Sequence, residues 1–372
     1  MKKKTKKEVG KAVGKSGNAA KGRKKRCGKR TSKRVEEPVI PRAQANIIRE
    51  FHLFAGIGGG IYGGELLGHQ CCGGVEIMPY AQGVLRQRQE DGWMPRFPIY
   101  GDLCALQGNQ FRGTFDVLCG GFPCQAFSTA AHGNNIASKN LWGEMFRFVQ
   151  ESNAPIVFGE NVVLRALNKA KDDLKGVGYA VEVVRLSCSD IGADHQRNRF
   201  WLLAYNDNQR FQALAERIQA LPRLSGRCWE QSPEMRGEPV PVLNGDRRDQ
   251  LLGVGNAQSP FAAATAFRIL VNRHLNRDVN RTEIPSEEEI SAVFEKRPTW
   301  IQGAFNNIGL VHTPTTMANY ACPSMMKHQG CRNFTEVFGR PEPVNAEYLM
   351  GFPLGASSPN PQGMNNVNLW RP

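Results

Sequence analysis

The chain has 372 residues, 41% of them apolar, and a formal net charge of +14. That length allows one large domain plus a smaller one. It contains no apolar run of the ~18 residues needed to span a membrane and no signal-peptide core, so a soluble, non-secreted protein is expected. None of the ten cysteines forms a Cys-x-x-Cys pair, which argues against a zinc ribbon or disulfide framework and for a reducing cytosol.

The charge is concentrated at the start. Residues 1–44 hold 17 Lys and Arg against Glu8, Glu36 and Glu37, while the remainder carries 31 basic and 31 acidic residues. With no aromatic residue and few large apolar ones, residues 1–45 read as a disordered basic arm. Such an arm is either a solubilising tail, a nuclear-type address around KGRKKR, or a sequence-blind binder of nucleic-acid phosphates.

After the arm, strands and helices alternate. IIREFHLF (47–54) predicts a strand, 60–68 a helix, CCGGVEI (71–77) a second strand and AQGVLRQRQ (81–89) a helix. IYGDL (99–103) reads as a short third strand, TFDVLCGG (114–121) as a fourth, and LWGEMFRFVQE (141–151) as an amphipathic helix. APIVFGENV (154–162) reads as a fifth strand and LNKAKDDLKGVG (167–178) as a helix ending in glycine. Residues 179–190 and 199–205 predict a hairpin-like pair. Residues 206–250 are polar with little period, 251–275 read as a loop and then a helix, and 276–372 show no clear period. The β-α-β alternation predicts an α/β fold with a doubly wound, mostly parallel sheet, whose ligands sit beyond the carboxyl ends of the strands.

The chemically suggestive residues fall at those ends. FAGIGGG (54–60) leaves the first strand, and Gly58–Gly63 is a literal G-x-G-x-x-G, a weak signal alone. Glu76 ends the second strand, twenty residues after Gly56, where an acid suits the hydroxyls of a ribose. Asp102 ends the third and is placed to meet an adenine edge. Together they predict a nucleoside-bearing cofactor.

The fourth strand exits through Gly-Gly-Phe-Pro to Cys124. Proline restricts the backbone before it, and a thiolate is a strong, soft nucleophile. Glu160 stands at the tip of the apolar fifth strand. Burial disfavours a charged carboxylate, so Glu160 is a candidate proton donor, a plain helix cap being the alternative. Arg197 and Arg199, two apart, would share one face of a strand and suit a carbonyl oxygen or phosphate.

In this order the segments FAGIGG, VEI, GDL, GGFPCQAFS, GENV, HQRNRFWLLA and VGNAQSP resemble the DNA (cytosine-5)-methyltransferases across residues 50–270. The resemblance implies a Rossmann-like methyltransferase sheet, residues 46–275 as the catalytic domain and 276–372 as a smaller C-terminal target-recognition region. It implies S-adenosylmethionine as cofactor, no metal, and a monomer acting on a cytosine flipped out of double-stranded DNA. Catalysis would fall to Cys124, Glu160, Arg197 and Arg199. The cofactor would lie against Phe54, Ala55, Gly56, Ile57, Gly58, Glu76, Ile77, Asp102, Leu103, Pro123, Asn256 and Ala257. Residues 127–140 would form a loop closing over the DNA. The compact size points to a microbial or viral modification enzyme acting in the cytoplasm of a bacterium or phage-infected cell, and to the nucleus if the host is eukaryotic. The chain departs from the family in having His195 where a glutamine is usual, and NAEYLMGFP (345–353) far downstream of Asn256. Alternatives are a transfer-RNA cytosine methyltransferase of the same architecture, a catalytically silent DNA-binding relative, and a nicotinamide oxidoreductase. The last leaves Cys124 and Glu160 unexplained.

Overall fold

A computed structural model describes residues 47–123, 141–193, 195, 197–222, 224, 247–276 and 342–364. The basic arm, Cys124 and the loop 127–140 lie outside the described residues.

The strands are β1 (Arg49–Leu53), β2 (Gln70–Val75), β3 (Ile99–Tyr100), β4 (Val117–Gly121), β5 (Ile156–Asn161), β6 (Ala180–Leu186) and β7 (Arg199–Tyr205). They form one sheet in the order β3-β2-β1-β4-β5-β7-β6. The neighbours from β3 through to β5 pair in parallel, and β7 runs antiparallel to both β5 and β6. The expected doubly wound, mostly parallel sheet is therefore observed, with the hairpin-like pair at one edge. Strand order reverses between β1 and β4, which opens a crevice at their carboxyl ends.

Alternation along each strand feeds two apolar layers. Phe51, Leu53, Leu118, Val157 and Leu202 join one layer, covered by α3 (Leu141–Ser152) and α4 (Leu164–Gly176). Val117, Ile156, Phe158 and Trp201 join the other, covered by α1 (Gly59–Leu66), α2 (Pro79–Glu90) and α7 (Pro260–His274). In α3 the buried Trp142, Met145, Phe148 and Val149 follow the helical repeat. Every residue of α7 from Pro260 to Asn272 is buried, the polar Thr265, Arg268 and Asn272 included, so this helix is packed on all sides.

Three segments differ from expectation. α5 (Asn208–Ala220) occupies part of the stretch read as lacking period, burying Phe211, Leu214, Ala215 and Ile218 at helical spacing. Residues 251–256 are helical within α6 (Arg247–Asn256), and the chain breaks only before Pro260, which fits the first turn of α7. The third strand is limited to Ile99–Tyr100, because Asp102 instead accepts a 2.9 Å hydrogen bond from the Cys104 N–H and starts a 3-10 turn.

α8 (Pro343–Met350) and the residues after it pack into the body of the domain. The Tyr80 hydroxyl donates to the Ser357 carbonyl at 2.7 Å, and Arg88, fully buried, donates to the Gly355 carbonyl at 2.6 Å. Glu347 is 1% exposed and accepts from the backbone N–H groups of Gly355 (2.7 Å) and Ser357 (2.8 Å) and from the Ser357 hydroxyl. Among the described residues no helix is long and apolar enough to cross a membrane.

Glu347→Ala leaves those buried N–H groups without an acceptor, at about 1–3 kcal/mol each. Urea unfolding should show a loss of about 2–6 kcal/mol; an unchanged midpoint would mean that residues 342–364 add nothing to the fold.

Candidate active site

Glycine shapes the β1 exit. Phe54, Gly56 and Gly58 all have positive φ (56°, 56° and 94°), a region open to glycine and strained for phenylalanine. The turn closes through Gly58 N–H to the Ala55 carbonyl at 3.0 Å and leads into α1. A side chain on Gly59 is excluded for a different reason: its Cβ would lie 2.1 Å from the Gln258 carbonyl. The corner between α6 and α7 thus rests directly on the start of α1, and Ile57 is buried beneath it.

Glu76, 7% exposed, ties this turn to the next helix. One carboxylate oxygen accepts from Gly56 N–H and the other from Met78 N–H, both at 2.7 Å. Beside it Ile77 is 70% exposed, an apolar platform at a strand exit. Asp102 is exposed, Leu103 buried and Pro123 half-buried.

Glu160 pairs across the sheet with Gly121 on β4 and Trp201 on β7. Arg199 lies on β7 two residues before Trp201, and its Nε sits 3.0 Å from Glu160 Oε1. The other carboxylate oxygen is 3.5 Å from Gln258 Nε2, at the outer limit of a hydrogen bond. Asn161, 1% exposed, donates from Nδ2 to the Phe122 carbonyl at 2.8 Å and accepts from Val163 N–H at 2.8 Å. It therefore clamps the β4 exit, two residues before Cys124, to the β5 exit.

The two arginines separate. Arg199 meets Glu160, whereas Arg197 is 4% exposed and points into the α6–α7 corner. There its guanidinium donates to the carbonyls of Gly255 (2.9 Å) and Ala257 (2.7 Å). Asn256 and Ala257 are thus positioned by Arg197, with Asn256 exposed and Ala257 buried. Sequence reasoning assigned no role to Asn161 or Gln258. Asn161 had a legible signal, a polar residue at an apolar strand tip, while Gln258 is brought to Glu160 only by the fold.

His195 is fully buried, and neither ring nitrogen has a hydrogen-bond partner among the described residues. Burial, then the charges of Arg197 and Arg199, push its imidazole down to about 3. The folded chain holds it neutral, whereas the unfolded chain protonates it below pH ~6.5. Stability tied to His195 is thus complete above pH ~6.5 and falls toward acid by about 1.4 kcal/mol per pH unit. His195→Gln should flatten that fall in urea-unfolding free energy between pH ~6.5 and ~4. Parallel pH profiles for the two proteins would refute the assignment.

Residues 48–240 match the family model described as C-5 cytosine-specific DNA methylase. Among similar proteins, the type II methyltransferase M.HgiBI of Herpetosiphon aurantiacus is 31% identical over 242 residues, covering 60% of this chain and 52% of that protein. M.MspI of Moraxella sp. is 29% identical over 171 residues, 43% of this chain and 39% of that protein. M.HhaI of Haemophilus parahaemolyticus is 29% identical over 174 residues, 44% of this chain and 51% of that protein. The chain spans about half the length of the curated relatives it matches. The solved S. pombe Dnmt2 methyltransferase aligns at TM-score 0.38 and 17% identity over 54% of this chain and 65% of that one. The family match runs through the strands that carry the β1 turn, the β4 exit and the Glu160–Arg199 pair. With just over half its length so matched, the chain belongs to the C-5 cytosine-specific DNA methylase family.

Proposed function

We propose that the protein transfers a methyl group from S-adenosylmethionine to C5 of a cytosine flipped out of double-stranded DNA. The observation that carries this reading is the Glu160–Arg199 pair beside the β4 exit that leads to Cys124. An Arg N–H and a carboxyl group side by side match the O2 and N3 acceptors of a single cytosine edge. Glu160 would donate to N3 and Arg199 to O2, drawing electrons from the ring. Cys124 thiolate would then add to C6, making C5 nucleophilic. After methylation, loss of the C5 proton would restore the ring and release the cysteine.

Three features of the strand exits support S-adenosylmethionine as the cofactor. The β1 turn lets backbone approach a ligand, Ile77 offers an exposed apolar face, and Asp102 leaves a carboxylate in solvent. Phe54, Ala55, Gly56, Ile57, Gly58, Glu76, Ile77, Asp102, Leu103 and Pro123 would hold it, with Asn256 and Ala257 closing one side. When bound it supplies a methyl group already activated on a sulfonium, so the transfer itself calls for no metal. Arg197 is a positioning residue in this scheme, setting the 255–257 corner rather than touching the base.

Target recognition would fall to the C-terminal region 276–372, whose described part, 342–364, packs on the body of the domain. The basic arm would add salt-dependent attraction to phosphates.

Cys124→Ser should abolish transfer of labelled methyl to duplex DNA while sparing cofactor binding, and Glu160→Gln should slow turnover by ~10²–10⁴-fold. Unchanged turnover in Cys124→Ser would end this reading, and methylation of transfer RNA in place of DNA would redirect it. Deleting residues 1–40 should weaken DNA binding chiefly at low salt; coincident salt titrations would remove the role of the arm.

A further inference from the structure

The centre of β1 carries polar side chains where the sheet is otherwise apolar. Glu50 and His52 face the layer under α1 and α7, opposite to Phe51 and Leu53. His52 is in register with Cys119 on β4. Glu50, His52, His69 and Cys119 are 3%, 4%, 6% and 4% exposed.

These groups converge on one carboxylate. His52 Nε2 lies 2.9 Å from one Glu50 oxygen and His69 Nδ1 lies 2.6 Å from the other. The Cys119 thiol on β4 lies beside the same carboxylate. One donor atom each from Glu50, His52 and Cys119 fall within 4.8 Å of one another. They border a cavity of about 10 Å³, lined also by Gly64 of α1 and Phe267 of α7, which is room for one water. Gly64 leaves no space for a side chain, since its Cβ would lie 2.0 Å from Glu50 Oε2.

We propose that Glu50, His52 and Cys119 form a structural site for a divalent transition metal of the zinc class, buried between the sheet and the layer of α1 and α7. One carboxylate oxygen, one imidazole nitrogen and one thiolate are a donor set suited to zinc. Zinc bonds of ~2.0–2.3 Å place tetrahedral ligand atoms about 3.3–3.7 Å apart, so the cluster need adjust by only about an ångström. A water in the small cavity supplies the fourth ligand. His69 holds the second carboxylate oxygen and orients the first, as partners of metal ligands commonly do. On binding, the Cys119 thiol proton passes to solvent and the His52 ring proton resides on Nδ1, leaving Nε2 free to coordinate. Two anionic ligands then neutralise the dication, so the metal and its ligands bury no net charge.

The test uses the full chain, expressed with zinc, dialysed against metal-free buffer and analysed by mass spectrometry for metals. About one zinc per chain is expected, and cobalt in its place should give a thiolate-to-cobalt charge-transfer band. Cys119→Ala should lower bound zinc at least ~10-fold and abolish the band, with far-ultraviolet circular dichroism unchanged. Cys119→Ser, nearly equal in size to the native side chain, gives the same reading if the alanine variant does not fold. Substoichiometric zinc in the wild type, or undiminished zinc and an intact cobalt band in a folded Cys119 variant, would overturn the proposal.

Discussion

The parallel pairing of β1 with β4, Glu50–Leu53 against Val117–Gly120, is the contact on which the rest of the site depends. The chain enters the sheet at its middle with β1, travels outward through β2 and β3, and must return past β1 to continue. At that reversal the helices following β1 and β4 diverge, and the two exits face a common crevice. The glycine turn at 54–60 and the Gly-Gly-Phe-Pro exit therefore become neighbours although some 60 residues separate them.

Side chains bonded to backbone hold these exits in place. Glu76 anchors the β1 turn, Asn161 anchors the β4 exit, and Arg197 anchors the α6–α7 corner. Each is buried, so each bond is made in a medium where leaving its polar atoms unpaired is costly. Loops fixed this way stay close to one geometry without regular secondary structure. Glu347 does the same for the final described segment, which makes residues 342–364 part of the scaffold even though the chain between them and α7 is long.

Much of the architecture is legible locally. The strands and helices from 47 to 205 follow apolar periodicity, because a residue's burial there depends mainly on its own strand or helix face. α5 was missed: Phe211, Leu214, Ala215 and Ile218 repeat at helical spacing, but the polar, Arg-rich stretch around them masks the pattern. The break between α6 and α7 was visible as Pro260, but the helicity of 251–256 was not. That segment holds two glycines, and its helix is stabilised by packing on Ile57 and α8 rather than by propensity.

The sequence by itself determined the strand-exit motifs, their order, and the chemistry their residue types can perform, because covalent neighbours fix which side chains leave a strand together. Only the tertiary structure decided how they divide the work. Arg197 and Arg199 are equivalent on paper, yet one is buried under the α6–α7 corner and the other faces Glu160. Gln258 reaches Glu160 only through the fold, and Glu50 and His52, two apart on β1, meet Cys119 only because β4 pairs beside them. Which side chains meet there is set by strand register and helix packing, and these depend on long-range contacts that no local pattern encodes.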